Sequence, residues 1–219
     1  MPKLQIPDYI QERLNAGREF RRMAEPLAIR AGGEEEMIVE GYATTFNQPY
    51  ELYSDAQYTL NEQVDSRAFD DTDMSDVIMQ YDHEGRVFAR TSNKTLTLDV
   101  DQHGLHMRAD LGGTEIGRQL FEEIEGGYTT KMSFGFKVAE DKREETVERN
   151  EETGVRTTTV LRTITKISKL YDVSAVSLPA NDATSISARN FGKGVIDEIM
   201  MEYQKREKQK QRIRILTEV

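Results

Sequence analysis

The chain has 219 residues, 37% of them hydrophobic, and 39 acidic against 29 basic side chains give it a net charge of -10. That is enough apolar content for one core but little for a compact protein of this length, so part of the chain is expected to be solvated. The acidity disfavours a nucleic-acid surface over the chain as a whole, and the absence of cysteine removes disulfides, thiol nucleophiles and cysteine metal sites.

Residues 1–36 read as a charged arm, with a short helical pattern in PDYIQERLNAGREFRRMA followed by an acidic hinge, AGGEEE. The N-terminal stretch has no signal-peptide core and no apolar run approaches the ~20 residues of a membrane span, so a soluble intracellular protein is expected. From Met37 the character changes. MIVEGYATTF reads as a strand, and YELYSDAQYTLNEQV as a loop leading into a second one. DVIMQYDH alternates so that a strand carries Val77, Met79, Tyr81 and His83 on one side, with EGRVFARTSN as a polar turn after it.

KTLTLDVDQHGLHMRADL is a hairpin: Leu96, Leu98 and Val100 alternate before the turn, and Leu105, Met107 and Ala109 after it. TEIGRQLFEEIEGG reads as a helix with Thr114 as N-cap, an apolar stripe of Ile116, Leu120, Phe121 and Ile124, and Gly126 and Gly127 ending it. KMSFGFK then alternates Met132, Phe134 and Phe136 against Lys131, Ser133, Gly135 and Lys137, so one hydroxyl stands off the apolar face of a strand. EDKREETVERNEETG is the solvated tip of a long hairpin returning through VRTTTVLRTITKI. KLYDVSAVSLPAND reads as one more strand, closed by Pro179, with Asp172 on the side of Ser174, Val176 and Leu178. From Gly194 the pattern is that of an amphipathic helix that grows basic. GGTEIG lacks the spacing and the lysine of a phosphate-binding loop.

Only three histidines occur. His103 falls in a hairpin turn and His106 on its outward face, positions of ordinary surface residues; an i, i+3 pair in a hairpin has no common face, and no metal site is expected. His83 ends an apolar strand, where by itself it would read as an edge histidine. A serine hydroxyl attacks only when a base takes its proton, and imidazole suits that task near neutrality. Ser133 therefore points to His83, and Asp172 is a candidate for holding the imidazole in its working tautomer. Spacing alone makes this constellation weakly specific.

Read in order, EGYATTF, RAFDDTD, VIMQYDHEGRVFAR, LTLDVDQHGLHMRADL, IGRQLFEEIEGGYTTKMSFGF and YDVSAVSLPANDAT resemble the prohead (capsid maturation) serine proteases of tailed bacteriophages, from about Gly41 to Ala188. The shared pattern is a strand ending in histidine, a hairpin with a Gly-Leu step, a helix ending in glycine, Ser-Phe-Gly-Phe, and Asp-Val-Ser-x-Val closing on Pro-Ala-Asn. Asp82-His83-Glu84 stands where that family usually has Asn-His-Asp. The resemblance extends to herpesvirus assemblins. It implies an α+β fold, mainly β, with a mixed or antiparallel closed barrel flanked by helices. By it Ser133 is the nucleophile and His83 the general base, while Asp172 matches the acidic position of the last motif, where assemblins use a second histidine.

The expected organisation is an arm over 1–36, a protease domain over 37–190 and a basic helix or tail over 191–219. The expected function is that of a serine endopeptidase without cofactor that cleaves scaffold or major capsid protein, and itself, inside the procapsid in the host cytoplasm. Self-association into a homodimer follows by analogy with assemblins, and neither a membrane nor a specific nucleic acid is expected as partner. Gly135 would leave room for a substrate backbone, and an arginine such as Arg162 would help backbone N–H groups stabilise the oxyanion. The competing reading is a non-catalytic phage assembly or scaffold protein that retains the fold. A nucleic-acid-binding protein rests only on KREKQKQRIR, which is better read as a solvated helix face.

Overall fold

A computed structural model describes residues 17–29, 36–149, 151 and 153–176, with positions 201, 205, 206, 208 and 209 beyond them. The strands in chain order are β1 (Glu19–Pro26), β2 (Ala28–Ile29), β3 (Ile38–Thr45), β4 (Tyr50–Ser54), β5 (Tyr58–Val64), β6 (Ile78–Tyr81), β7 (Glu84–Arg90), β8 (Leu96–Val100), β9 (Gly104–Asp110), β10 (Lys131–Arg149) and β11 (Arg156–Val176); helix α1 (Glu115–Glu125) precedes β10.

Two sheets form. The larger follows the order β1-β10-β11-β5-β4, with β6 added beside β11 and β7 beside β6; the smaller runs β2-β3-β9-β8. β11 is antiparallel to β10 but parallel to both β5 and β6, each on a different part of its length: Thr158–Ile164 against β5, Asp172–Ala175 against β6. Its 21 residues span roughly 70 Å, far more than either neighbour.

This corrects the expected α+β closed barrel flanked by helices: the fold is mostly β, and its sheets stay open. A strand as long as β11 outruns its partners, so the sheet branches at β6 instead of curling until β1 meets β4. Between the sheets, pairing thins to an isolated bridge of Phe46 with Val64. Burial joins them instead. Val39, Ala43, Leu105 and Met107 of the smaller sheet share one core with Met79, Met132, Phe134, Phe136 and Val173 of the larger, and with Leu120, Phe121 and Ile124 of α1.

The expected helix is present, with the Thr114 hydroxyl accepting from the Gly117 N–H at 3.1 Å and Gly126 as its C-cap. The β8–β9 hairpin also stands as read, as does the long hairpin of β10 and β11, although EDKREETVER, read as part of its tip, belongs to strand β10. Four further local readings are corrected. The helical pattern of the arm gives way at Glu19 to β1, the supposed loop at Tyr50–Ser54 is β4, and EGRVFAR is β7 instead of a turn. VRTTTVLRTITKI and KLYDVSAV are one continuous strand, β11. Pro179 and most of the C-terminal pattern lie outside the described residues; Met201, Lys205, Arg206, Lys208 and Gln209 are helical.

Candidate active site

β6 ends at Tyr81 and β7 begins at Glu84, paired with each other, so Asp82 and His83 are the two residues of a hairpin loop. Both have positive φ, 46° and 64°. That is the requirement of a type I′ turn, and aspartate and histidine are among the few side chains that tolerate it. The Asp82 N–H donates to the Ala175 carbonyl at 2.9 Å, tying the loop to β11.

The loop delivers His83 to Ser133 and Asp172. Nε2 of His83 lies 2.5 Å from the Ser133 hydroxyl, and Nδ1 lies 2.5 Å from Oδ2 of Asp172. Chain separations of 50 and 89 residues are closed by the parallel pairing of β6 with β11 and the antiparallel pairing of β11 with β10. Oδ2 of Asp172 also accepts from the Ser174 hydroxyl at 2.7 Å, and Oδ1 accepts from Arg18. Burial pushes the Asp172 carboxyl upward, but His83, Arg18 and Ser174 pull harder and hold it at about 2. It is an anion held against an imidazole.

Gly135 sits directly opposite Asp172 in the β10–β11 ladder. A Cβ there would collide with Oδ1 of Asp172 and come within 3.0 Å of the Arg18 guanidinium. The glycine therefore makes room for the carboxylate, not for a substrate backbone as the sequence suggested. Arg162 is also placed differently from expectation. Its guanidinium is engaged by Glu19 (2.8 and 3.1 Å), Glu62 (2.6 Å) and Asp141 (2.7 Å), away from any oxyanion role. His103 and His106 instead pack against Tyr42 in the smaller sheet.

All three central side chains are enclosed: Ser133 and Asp172 are 0% exposed and His83 is 1%. What covers them is β1. The Phe20 ring meets the His83 ring edge-on at 4.5 Å, and the Ser133 hydroxyl donates to the Arg21 carbonyl at 2.8 Å. The sequence reading did not single out Arg18, or the cluster of Glu19, Arg21, Tyr50 and Glu62 that surrounds Arg162. A signal for part of that cluster exists: in Tyr58–Val64 and Thr158–Ile164 the buried positions alternate, and Glu62 and Arg162 occupy buried places in that alternation.

A hydroxyl, an imidazole and a carboxylate bonded in series is the arrangement that serine hydrolases use to activate an oxygen nucleophile. The family model of caudovirus prohead serine proteases matches residues 25–197, and the chain belongs to that family. Membership sets it in the context of the tailed-phage prohead, as a peptidase of capsid maturation. Neither the curated proteins nor the solved structures contain a match to it. Among the described residues no helix is long and apolar enough to cross a membrane.

Proposed function

We propose that the chain is a serine endopeptidase that cleaves scaffold or capsid-protein segments, and its own, within the procapsid, with Ser133 as nucleophile, His83 as general base and Asp172 as the group that orients the imidazole. The observation that carries this reading is the unbroken hydrogen-bonded series from Ser133 through His83 to Asp172. The Ser133 oxygen attacks a peptide carbonyl carbon as its proton passes to Nε2. The tetrahedral adduct collapses to an acyl-enzyme, breaking the C–N bond, and the leaving amine takes the proton from Nε2. Water then repeats the sequence, losing a proton to His83 and releasing the carboxyl product and the free hydroxyl. Residues 1–36 and 191–219 serve in this reading as segments that target the enzyme or are trimmed by it. By analogy with assemblins it works as a homodimer, which sedimentation of active and inactive forms tests.

Ser133→Ala should leave precursor uncleaved while circular dichroism shows the fold retained, with a rate loss of roughly 10⁶-fold. Normal processing by that variant defeats the proposal. The enclosure of Ser133 and His83 favours a second reading, a non-catalytic assembly protein that keeps the fold. A fluorophosphonate separates the two: stoichiometric labelling of Ser133 under assembly conditions marks an activated serine, and an unlabelled chain marks the structural role.

A further inference from the structure

β1 covers Ser133 in the manner of a bound peptide. It lies antiparallel along one edge of β10, with Arg21 opposite Phe134 and Arg22 opposite Ser133, while β11 takes the other edge. An extended peptide adds to a free sheet edge in this geometry, its main chain supplying affinity and its alternate side chains specificity. On one face of β1, Phe20 covers His83, and Arg18, just before the strand, bonds Asp172. On the other, Glu19 and Arg21 enter a buried cluster.

The walls of that cluster come from three other strands: Tyr50 from β4, Glu62 from β5 and Arg162 from β11. Arg21 forks onto Glu62, Nε to Oε1 and Nη2 to Oε2, the second bond being 2.9 Å. Tyr50 donates to Glu62 at 2.7 Å, and Arg162 holds Glu19 through two nitrogens at 2.8 and 3.1 Å. The walls thus present a carboxylate to a cation and a guanidinium to an anion, and β1 supplies the complement two residues apart. The carbonyl that meets the Ser133 hydroxyl belongs to the same residue whose side chain fills the Glu62 fork.

We propose that Glu62, Tyr50 and Arg162 form the specificity site of the protease. It takes a substrate strand laid along β10, with arginine contributing the scissile carbonyl and an acidic residue two positions earlier, and β1 holds that place in the closed chain. The proposal rests on the serine-protease reading and names its substrate class. Arginine is favoured over lysine because only a guanidinium fills both oxygens of a carboxylate in one plane. Burial pushes Glu62 upward, but Arg21 and Arg162 keep it ionised, held at about 2, as a cation-binding wall requires. β1 also occupies the nucleophile. Ser133 has one hydroxyl proton, and while the Arg21 carbonyl accepts it, Nε2 of His83 does not.

The test uses full-length chains and a fluorescent peptide reproducing residues 14–27. Binding is read by anisotropy to Ser133→Ala, and to Ser133→Ala combined with Arg21→Ala, which vacates the fork in cis. The peptide should bind both chains, the second more tightly. Replacing its arginine at the Arg21 position by alanine should weaken binding roughly tenfold to a hundredfold, with lysine between. Adding Glu62→Gln to the chain should remove most of that difference, and the wild-type chain should cut the peptide after the same arginine. Equal affinity for the arginine and alanine peptides, absence of binding to either chain, or scission with no preference for arginine overturns the specificity site. Arginine-dependent binding without scission leaves it standing and removes the protease reading instead. If the combined variant does not fold, the comparison on Ser133→Ala alone decides by the same criteria.

Discussion

The two ends of the β10–β11 hairpin share one continuous ladder, from Lys131 opposite Val176 to Arg149 opposite Arg156, yet they differ in everything but hydrogen bonding. At the proximal end Met132–Phe136 and Val173–Val176 are buried. At the distal end Lys142–Arg149 are exposed, and only the small cluster of Leu52, Tyr58, Leu60 and Val160 lies beneath. Pairing fixes where residues are, whereas the layers on either face decide what they can do. Ser133, Asp172 and Ser174 are tolerated inside because they satisfy one another and His83. At the distal end the Lys142–Arg149 edge presents its charges to solvent, while Arg162 on the facing strand is held inside by Glu19, Glu62 and Asp141.

Substitutions should therefore diverge sharply along the ladder. Asp172→Asn, at the proximal end, should lower the rate of precursor cleavage by roughly 10⁴-fold, because the amide favours the wrong imidazole tautomer. A loss below tenfold in single-turnover assays would show that Asp172 does not orient His83. Phe134→Ala, where the ring is stacked on Phe136 at 4.3 Å in the shared core, should cost about 3–5 kcal/mol in denaturant unfolding. Acid should act on the covered region too. Asp172 and Glu62 are both held at about 2, below the ordinary carboxylate range near 4. Their stabilisation is therefore complete above that range and lost as pH falls from about 4 towards 2. Melting temperature should drop across that window, with a shallower slope in Asp172→Asn; an equally steep slope would remove Asp172 as a source. Smallest of all, Val147→Thr near the tip should change stability by no more than about 0.5 kcal/mol, and a larger loss would mean that the distal half is covered in solution.

What could be read from the sequence follows the same division between local and distant causes. The β8–β9 hairpin and α1 declare themselves through alternation, a capping threonine and terminal glycines, all within a few residues. His83, Ser133 and Asp172 were singled out by chemistry together with the family resemblance, and the structure brings their side chains together. β1 was missed because EFRRMAEP looks like a solvated charged segment. Arg21 and Glu19 become burial-compatible only through Glu62 and Arg162, which lie far along the chain. The turn was misplaced because Asp82-His83 lacks the glycine that usually marks a type I′ loop. The open, branched sheet was illegible because it depends on β11 choosing two parallel neighbours, a matter of topology that no local pattern encodes.

The chain order of the site has a consequence for timing. The imidazole of residue 83 waits for a carboxylate that is synthesised 89 residues later, on a strand that must slot in beside β10 and β6. At roughly 5–20 residues per second, the Ser133 hydroxyl leaves the peptidyl-transfer centre about 2–8 s before Asp172 does. A chain still on the ribosome therefore cannot close the series of Ser133, His83 and Asp172 until translation has passed β11.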